Sequence, residues 1–371
     1  MTAGRRRIRE CGIRIGRFAP GKRNTICDVE GVSVGQVTIS EEAKGQSQAI
    51  RTGVTVIWPH QGSPWRDRVY AATSIVNGYG ELIGINQINE WGVLHSPIVL
   101  TSSLAIGAAY DATARWIADR DEIQGVADVI MPVVTECDDS YLNDARAFPV
   151  TSGHVQRALE SALGNFEVEE GCVGAAAGLQ CFDFKGGIGT ASRQLSPTQG
   201  GYTVGVLVST NFGDRLDLVL GGVPLGREIT DLMPGVHTSG SCIVIVATDA
   251  PMLPHQLRRL AARGGMGLVR CGSVGANGSG ELVLAFSTAT RVPREVPGGE
   301  LKVRTLLDGA YWHSVSAFDP IFTATIECVE EAVANALFMA DTTTGRNDHI
   351  LHAIPVERAL RAFARHGVTI S

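Results

Sequence analysis

Gly240-Ser241-Cys242 stands immediately before an uninterrupted apolar run, Ile243-Val244-Ile245-Val246-Ala247. A serine hydroxyl is a weak nucleophile and needs a base, yet no acid or histidine lies beside it. One arrangement supplies the base without a histidine. If the Gly240–Ser241 bond is cut, the freed α-amino group has an ordinary pKa of about 7.7–8.0. It lies beside its own hydroxyl and can take that proton at neutral pH. Glycine at 240 lacks the side chain that would keep Oγ from its carbonyl. A plain Gly-Ser turn before a strand fits the same three residues.

Two further segments carry suitable groups. Gly275-Ala276-Asn277-Gly278-Ser279-Gly280-Glu281 is a tight loop feeding a second apolar strand. Ser279 and Glu281, two residues apart, point to one side if extended. Val208-Ser209-Thr210-Asn211-Phe212-Gly213 puts an asparagine at the end of a buried-looking strand, where its amide could hold an oxyanion. The bland counterparts are a hairpin loop with a solvated Glu281 and a turn cap at Asn211.

Other chemistries lack their motifs. There is no G-x-S-x-G elbow, no H-E-x-x-H and no Walker lysine pattern. Lys185-Gly186-Gly187-Ile188-Gly189-Thr190 is glycine-rich but has no lysine and hydroxyl at P-loop spacing, so it reads as a structural turn. No Cys/His cluster has zinc spacing, and neither metal nor cofactor is expected.

The elements that must position these groups are legible as short β-branched runs: 54–58, 129–134, 203–208, 242–248 and 282–286. Several are apolar on consecutive residues, which implies sheets covered on both faces. Helical periodicity marks 152–163, with Ser152 as cap, then 254–263, ending at Gly264-Gly265, and also 326–340 and 355–366. With no linker or repeat, 1–371 reads as a single layered α/β domain.

Bulk properties narrow the classes. Net charge is −6, which disfavours a nucleic-acid binder. Apolar residues at 44% allow a substantial core. The basic start Arg5-Arg6-Arg7-Ile8-Arg9 reads as a solvated tail. Eight scattered cysteines suit buried, reduced thiols in a cytoplasmic protein. No apolar run reaches the length of a membrane span and no secretory signal is evident.

Taken together, "GSCIVIVATDAPMLPHQLRRLAAR", "NGSGELVLAFSTAT", "VLVSTNFG", "CFDFKGGIGTASR", "NGYGELIGINQINEWGVLHSPIVLT" and "DTTTGRNDHILHAIP" resemble the L-aminopeptidase/D-esterase family, also called D-aminopeptidases and β-peptidyl aminopeptidases. The match runs in family order from about residue 24 to about residue 355. The resemblance implies an αββα sandwich similar to the N-terminal-nucleophile hydrolases but with different connectivity. It also implies a precursor cut between Gly240 and Ser241 into chains 1–240 and 241–371, with Ser241 as nucleophile. By position, Ser279 and Glu281 match the pair that orients the nucleophile, and Asn211 the oxyanion asparagine. Tyr141, in "TECDDSYLND", is the expected second oxyanion group. The implied substrates are small peptides, amino-acid amides or esters bearing a free amine, and the implied assembly is a homo-oligomer of αβ units. Glu136, Asp138, Asp139 and Glu281 are unranked partners for the substrate ammonium.

Cys242 departs from the aliphatic residue expected after the serine. The "IGINQINEWG" segment also departs from the family wording and is a candidate pocket wall. Two other functions fit the same residues: an acyltransferase like the ornithine acetyltransferases, which use threonine, and a non-catalytic ligand-binding protein.

Overall fold

The structure, a computed structural model, describes residues 4–45, 48–235, 240–312 and 315–370. Its strands, in chain order, are β1 (Ser33–Glu41), β2 (Ile50–Trp58), β3 (Asp67–Gly78), β4 (Leu82–Ile83), β5 (Val93–Leu94), β6 (Ile98–Ser102) and β7 (Val133–Cys137). A small hairpin of β8 (Gln180–Cys181) and β9 (Phe184–Lys185) follows. Then come β10 (Ile188–Gln194), β11 (Thr203–Asn211), β12 (Ser241–Thr248) and β13 (Gly280–Pro293). They form a five-stranded sheet, β1-β2-β6-β7-β4, and a six-stranded sheet, β10-β11-β12-β13-β3-β5.

Three apolar clusters define the layers. Leu207, Ile243, Ile245 and Leu284 meet Ile57, Leu100 and Val133 between the sheets. Val206, Val244, Val246 and Val283 pack instead against Leu257, Leu260, Val329 and Val333 of α5 (Pro254–Arg270) and α6 (Phe318–Phe338). Val54, Val56 and Val99 pack against Ala109, Ala112, Val155 and Leu159 of α2 (Ile106–Ala118) and α3 (Ser152–Ala162). This is an αββα sandwich. Strands buried on both faces need apolar residues at successive positions, which is why β12 shows no polar alternation. Each fully buried aliphatic side chain contributes about 1.5–3 kcal/mol.

Four local expectations are corrected. The helix expected to stop at Gly264-Gly265 runs on to Arg270. A Cβ at Gly264 would lie 2.7 Å from Val283 Cγ1, and one at Gly267 2.5 Å from Val329 Cβ. These glycines let α5 lie close to the sheet and to α6, which offsets their low helix propensity. The strand expected at 129–134 is β7, displaced to Val133–Cys137. The cap of α3 is Thr151 rather than Ser152.

The basic start is not a solvated tail. Ile8, Ile13 and Ile15 are buried. Arg7 pairs with Glu170, and Arg9 with Glu331 at 2.6 Å. Glu331 also binds the buried Arg193 at 2.7 Å. Carboxylates this deep require cations, and the N-terminal arginine supplies one of them. No helix among the described residues is long and apolar enough to cross a membrane.

Candidate active site

β12 and β13 run parallel, side by side, so residues 241 and 280 open at one edge of the sheet. Antiparallel β11 ends at the same edge, with Asn211 directly opposite Ser241. Strand alternation then sorts the side chains. Ser241 shares the inter-sheet face with Ile243 and Ile245, whereas Cys242 shares the helix-facing side with Val244 and Val246. Burial pushes the Cys242 thiol well above its ordinary pKa, so it does not compete as a nucleophile.

Gly240 is required by closeness. A Cβ there would lie 1.8 Å from the Asn211 carbonyl oxygen. Its backbone is not left-handed. The Gly240 carbonyl accepts the Gly280 N–H at 3.3 Å, so a backbone donor already polarises the bond before Ser241. The Asn211 side chain accepts the Gln180 N–H at 3.1 Å and donates to the Asp138 carbonyl at 2.8 Å. Its amide nitrogen keeps a second hydrogen to offer.

Ser241 opens onto a cavity of about 360 Å³ bordered also by Tyr79, Glu81, Ser103, Glu136 and Asp138. This separates the four acidic candidates. Glu136 is buried, taking the Glu81 N–H at 2.9 Å and the Ser103 hydroxyl. Asp138 lies at the exposed rim. Asp139 points into the protein, where Ser102 and Asn143 donate to it at 2.8 and 2.9 Å. Burial raises its pKa to about 6. Glu281 borders a different, smaller cavity.

The Ser279 hydroxyl donates to Glu281 at 2.6 Å. Glu281 is level with Cys242 in the parallel register and therefore faces α5 and α6. Burial raises its carboxyl pKa. The pair flanks Gly240 from the side opposite the Ser241 hydroxyl. Tyr141 borders neither cavity. Its ring stacks on His349 with centroids 4.6 Å apart, and its hydroxyl accepts the Gly235 N–H at 3.1 Å, upstream of the Gly240–Ser241 bond.

Ser103 and Glu81 escaped sequence reasoning. Each sits beside a strand end, but nothing local announces that the two sheets converge there. The "IGINQINEWG" segment forms α1 (Ile85–Trp91) and stays outside the cavity border. The glycine-rich 185–190 stretch is structural, as expected. Lys185 is buried and donates to the carbonyls of Leu179 and Gly186 at 2.8 and 2.7 Å. A Cβ at Gly189 would lie 1.9 Å from the Ala332 carbonyl of α6.

The family model for peptidase family S58 matches residues 24–351. A β-peptidyl aminopeptidase, BapA of Sphingosinicella microcystinivorans, is 40% identical over 354 residues, covering 91% of this chain and 86% of that protein. The solved structure of the PH0078 protein from Pyrococcus horikoshii is 42% identical with a TM-score of 0.90, covering 98% of this chain and 100% of that one. The L-aminopeptidase D-Ala-esterase/amidase of Ochrobactrum anthropi, described as a new variant of the Ntn hydrolase fold, is 37% identical with a TM-score of 0.90, covering 98% and 99%. With an αββα sandwich and a family match spanning most of its length, the chain belongs to peptidase family S58.

Proposed function

We propose that the chain cuts itself between Gly240 and Ser241 and then acts as an aminopeptidase with Ser241 as its N-terminal nucleophile. The observation that carries this reading is the junction itself. Ser241 opens a rigid strand opposite Asn211, above an acidic cavity, directly after a glycine whose place a larger residue could take only by displacing the Asn211 carbonyl.

In the first stage, Ser241 Oγ attacks the Gly240 carbonyl, its proton passes to the departing nitrogen, the C–N bond breaks, and an ester forms with release of the α-amine. Water then hydrolyses the ester. In the second stage, that amine accepts the Oγ proton as Oγ attacks the substrate acyl group. The second hydrogen of the Asn211 amide stabilises the oxyanion. Glu136 receives the substrate ammonium, and Asp138 adds negative potential at the rim. Ser279 and Glu281, beside Gly240, act on the α-amino group rather than on Oγ. The placement of Tyr141 suits the segment before the cut, and its role as second oxyanion donor depends on that segment leaving.

The relatives' names and the acidic cavity support peptides, amides or esters with a free N-terminal amine as substrates. Intact-mass measurement and N-terminal sequencing test the reading. The expected result is two chains, the second beginning Ser-Cys-Ile-Val, with both cleavage and hydrolysis lost in Ser241→Ala. A purified 371-residue chain that stays uncut yet hydrolyses peptides would overturn it.

A further inference from the structure

Gly240 borders two cavities. The larger is bordered by Ser241 and Glu136. The smaller, about 70 Å³, is bordered by Ser273, Ser279, Glu281 and Gln180. Strand alternation puts the two on opposite sides of the sheet edge, because Ser241 faces the inter-sheet layer and Glu281 the α5–α6 layer. The Gly240 carbonyl, bonded laterally to the Gly280 N–H, therefore has one side toward each cavity.

The smaller cavity is polar and incompletely satisfied. Glu281 is 1% exposed. One of its oxygens accepts the Ser279 hydroxyl, but Oε2 has no hydrogen-bond partner. The Ser273 hydroxyl accepts the Gly275 N–H at 3.3 Å and lies within hydrogen-bonding reach of the carboxylate. A buried carboxylate oxygen without a donor bears its desolvation penalty uncompensated. The space exceeds the roughly 10–15 Å³ that one water needs, and polar partners stand around it.

We propose that this cavity is the water site for the second step of self-cleavage, with Ser273 as a positioning residue. The inference rests on the self-cleavage reading above. A water in the cavity, held jointly by Glu281 Oε2 and Ser273 Oγ, attacks the Gly240 ester carbonyl from the side opposite the one Oγ used. The water oxygen–carbon bond forms and the carbon–Oγ bond breaks. One water proton passes to Glu281. Glu281 passes that proton to the α-amine, which hands it on to Ser241 Oγ as the alkoxide leaves. The products are the Gly240 carboxyl and a free N-terminal serine, with no other reactant required.

The test is Ser273→Val, which replaces the hydroxyl with methyl groups that fill the cavity, followed by hydroxylamine, which cleaves esters but not amides. We expect maturation to slow roughly 10²-fold, the low end for loss of general-base assistance. Hydroxylamine should restore cutting, leaving a hydroxamate on Gly240, and Ser273→Thr should mature nearly normally. Maturation of Ser273→Val at the wild-type rate would overturn the proposal. So would a stalled chain that hydroxylamine does not cut, because the block would then lie in the first step. Should the valine variant melt without cooperativity, the crystal structure of Ser241→Ala replaces it. A water bonded to Glu281 Oε2 is expected there, and a dry cavity refutes the site. A wild-type chain that never cuts itself would refute the parent reading instead.

Discussion

Ser241 and Asn211 are direct cross-strand partners at the end of the β11–β12 ladder, with both side chains on the inter-sheet face. The serine and the asparagine amide are thus fixed by backbone pairing, and their separation does not depend on a loop. Asn211→Ala should lower kcat roughly 10²–10³-fold while changing KM little. Steady-state kinetics on separately matured enzyme check this. A loss confined to KM would remove Asn211 from the oxyanion site.

Gly240→Ala places a methyl group against the Asn211 carbonyl, where 1.8 Å is available. The strand mouth must part to admit it, and misplacement of about 1 Å costs roughly 10²-fold in rate. Self-cleavage followed by gel over time should slow by at least that factor. Normal maturation would show that the mouth yields without cost.

Cys242→Ala should leave cleavage and hydrolysis unchanged, because the thiol faces α5 and α6 and its ionisation is suppressed. Stability should fall by about 1 kcal/mol, close to the loss of one buried methylene-sized group. Thermal melts and thiol-blocking reagents give the two readouts. Inactivation by a reagent acting at Cys242 contradicts the assignment.

Glu136→Gln removes the buried charge facing the Ser241 cavity while keeping its shape. A charge-assisted hydrogen bond is worth about 1.5–3 kcal/mol, so kcat/KM for free-amine substrates should drop roughly 10–100-fold. N-acetylated substrates, already poor, should be indifferent to the change. Equal losses on both substrates would move the ammonium site elsewhere.

Asp139 carries its own pH signature. Its folded pKa is raised from 3.8 to about 6 by burial. Below pH about 4 the folded and unfolded chains are both protonated. Between about 4 and 6 the unfolded chain ionises first, so stability falls as pH rises, and above about 6 the full penalty applies. Asp139→Asn escapes it, so the variant should gain over wild type as pH rises through that window. Two pKa units set a ceiling of about 3 kcal/mol. A stability difference that stays flat with pH would refute the raised pKa.

Some of this architecture is written locally. The apolar run after Ser241 specifies a strand covered on both faces, and period-two alternation separates Cys242 from Ser241 before any tertiary contact is considered. Ser279 immediately precedes β13 and Glu281 is its second residue, and their hydrogen bond follows from that two-residue spacing. The chemistry of a glycine–serine junction lies in those two residues.

What tertiary structure decided is everything carried across the sheets. "TECDD" contains three acids that no local rule ranks. Only the stacking of β7 against β12 brings Glu136 to the Ser241 cavity while Asp139 turns inward. The same holds for Tyr141, placed against Gly235, and for Arg9, drawn in by a carboxylate more than 300 residues away. It holds as well for Glu281, whose side of the sheet edge depends on its parallel register with Cys242. Short-range patterns record the torsions and faces of single elements. Which faces meet depends on sheet packing, and in this chain packing joins residues far apart in sequence.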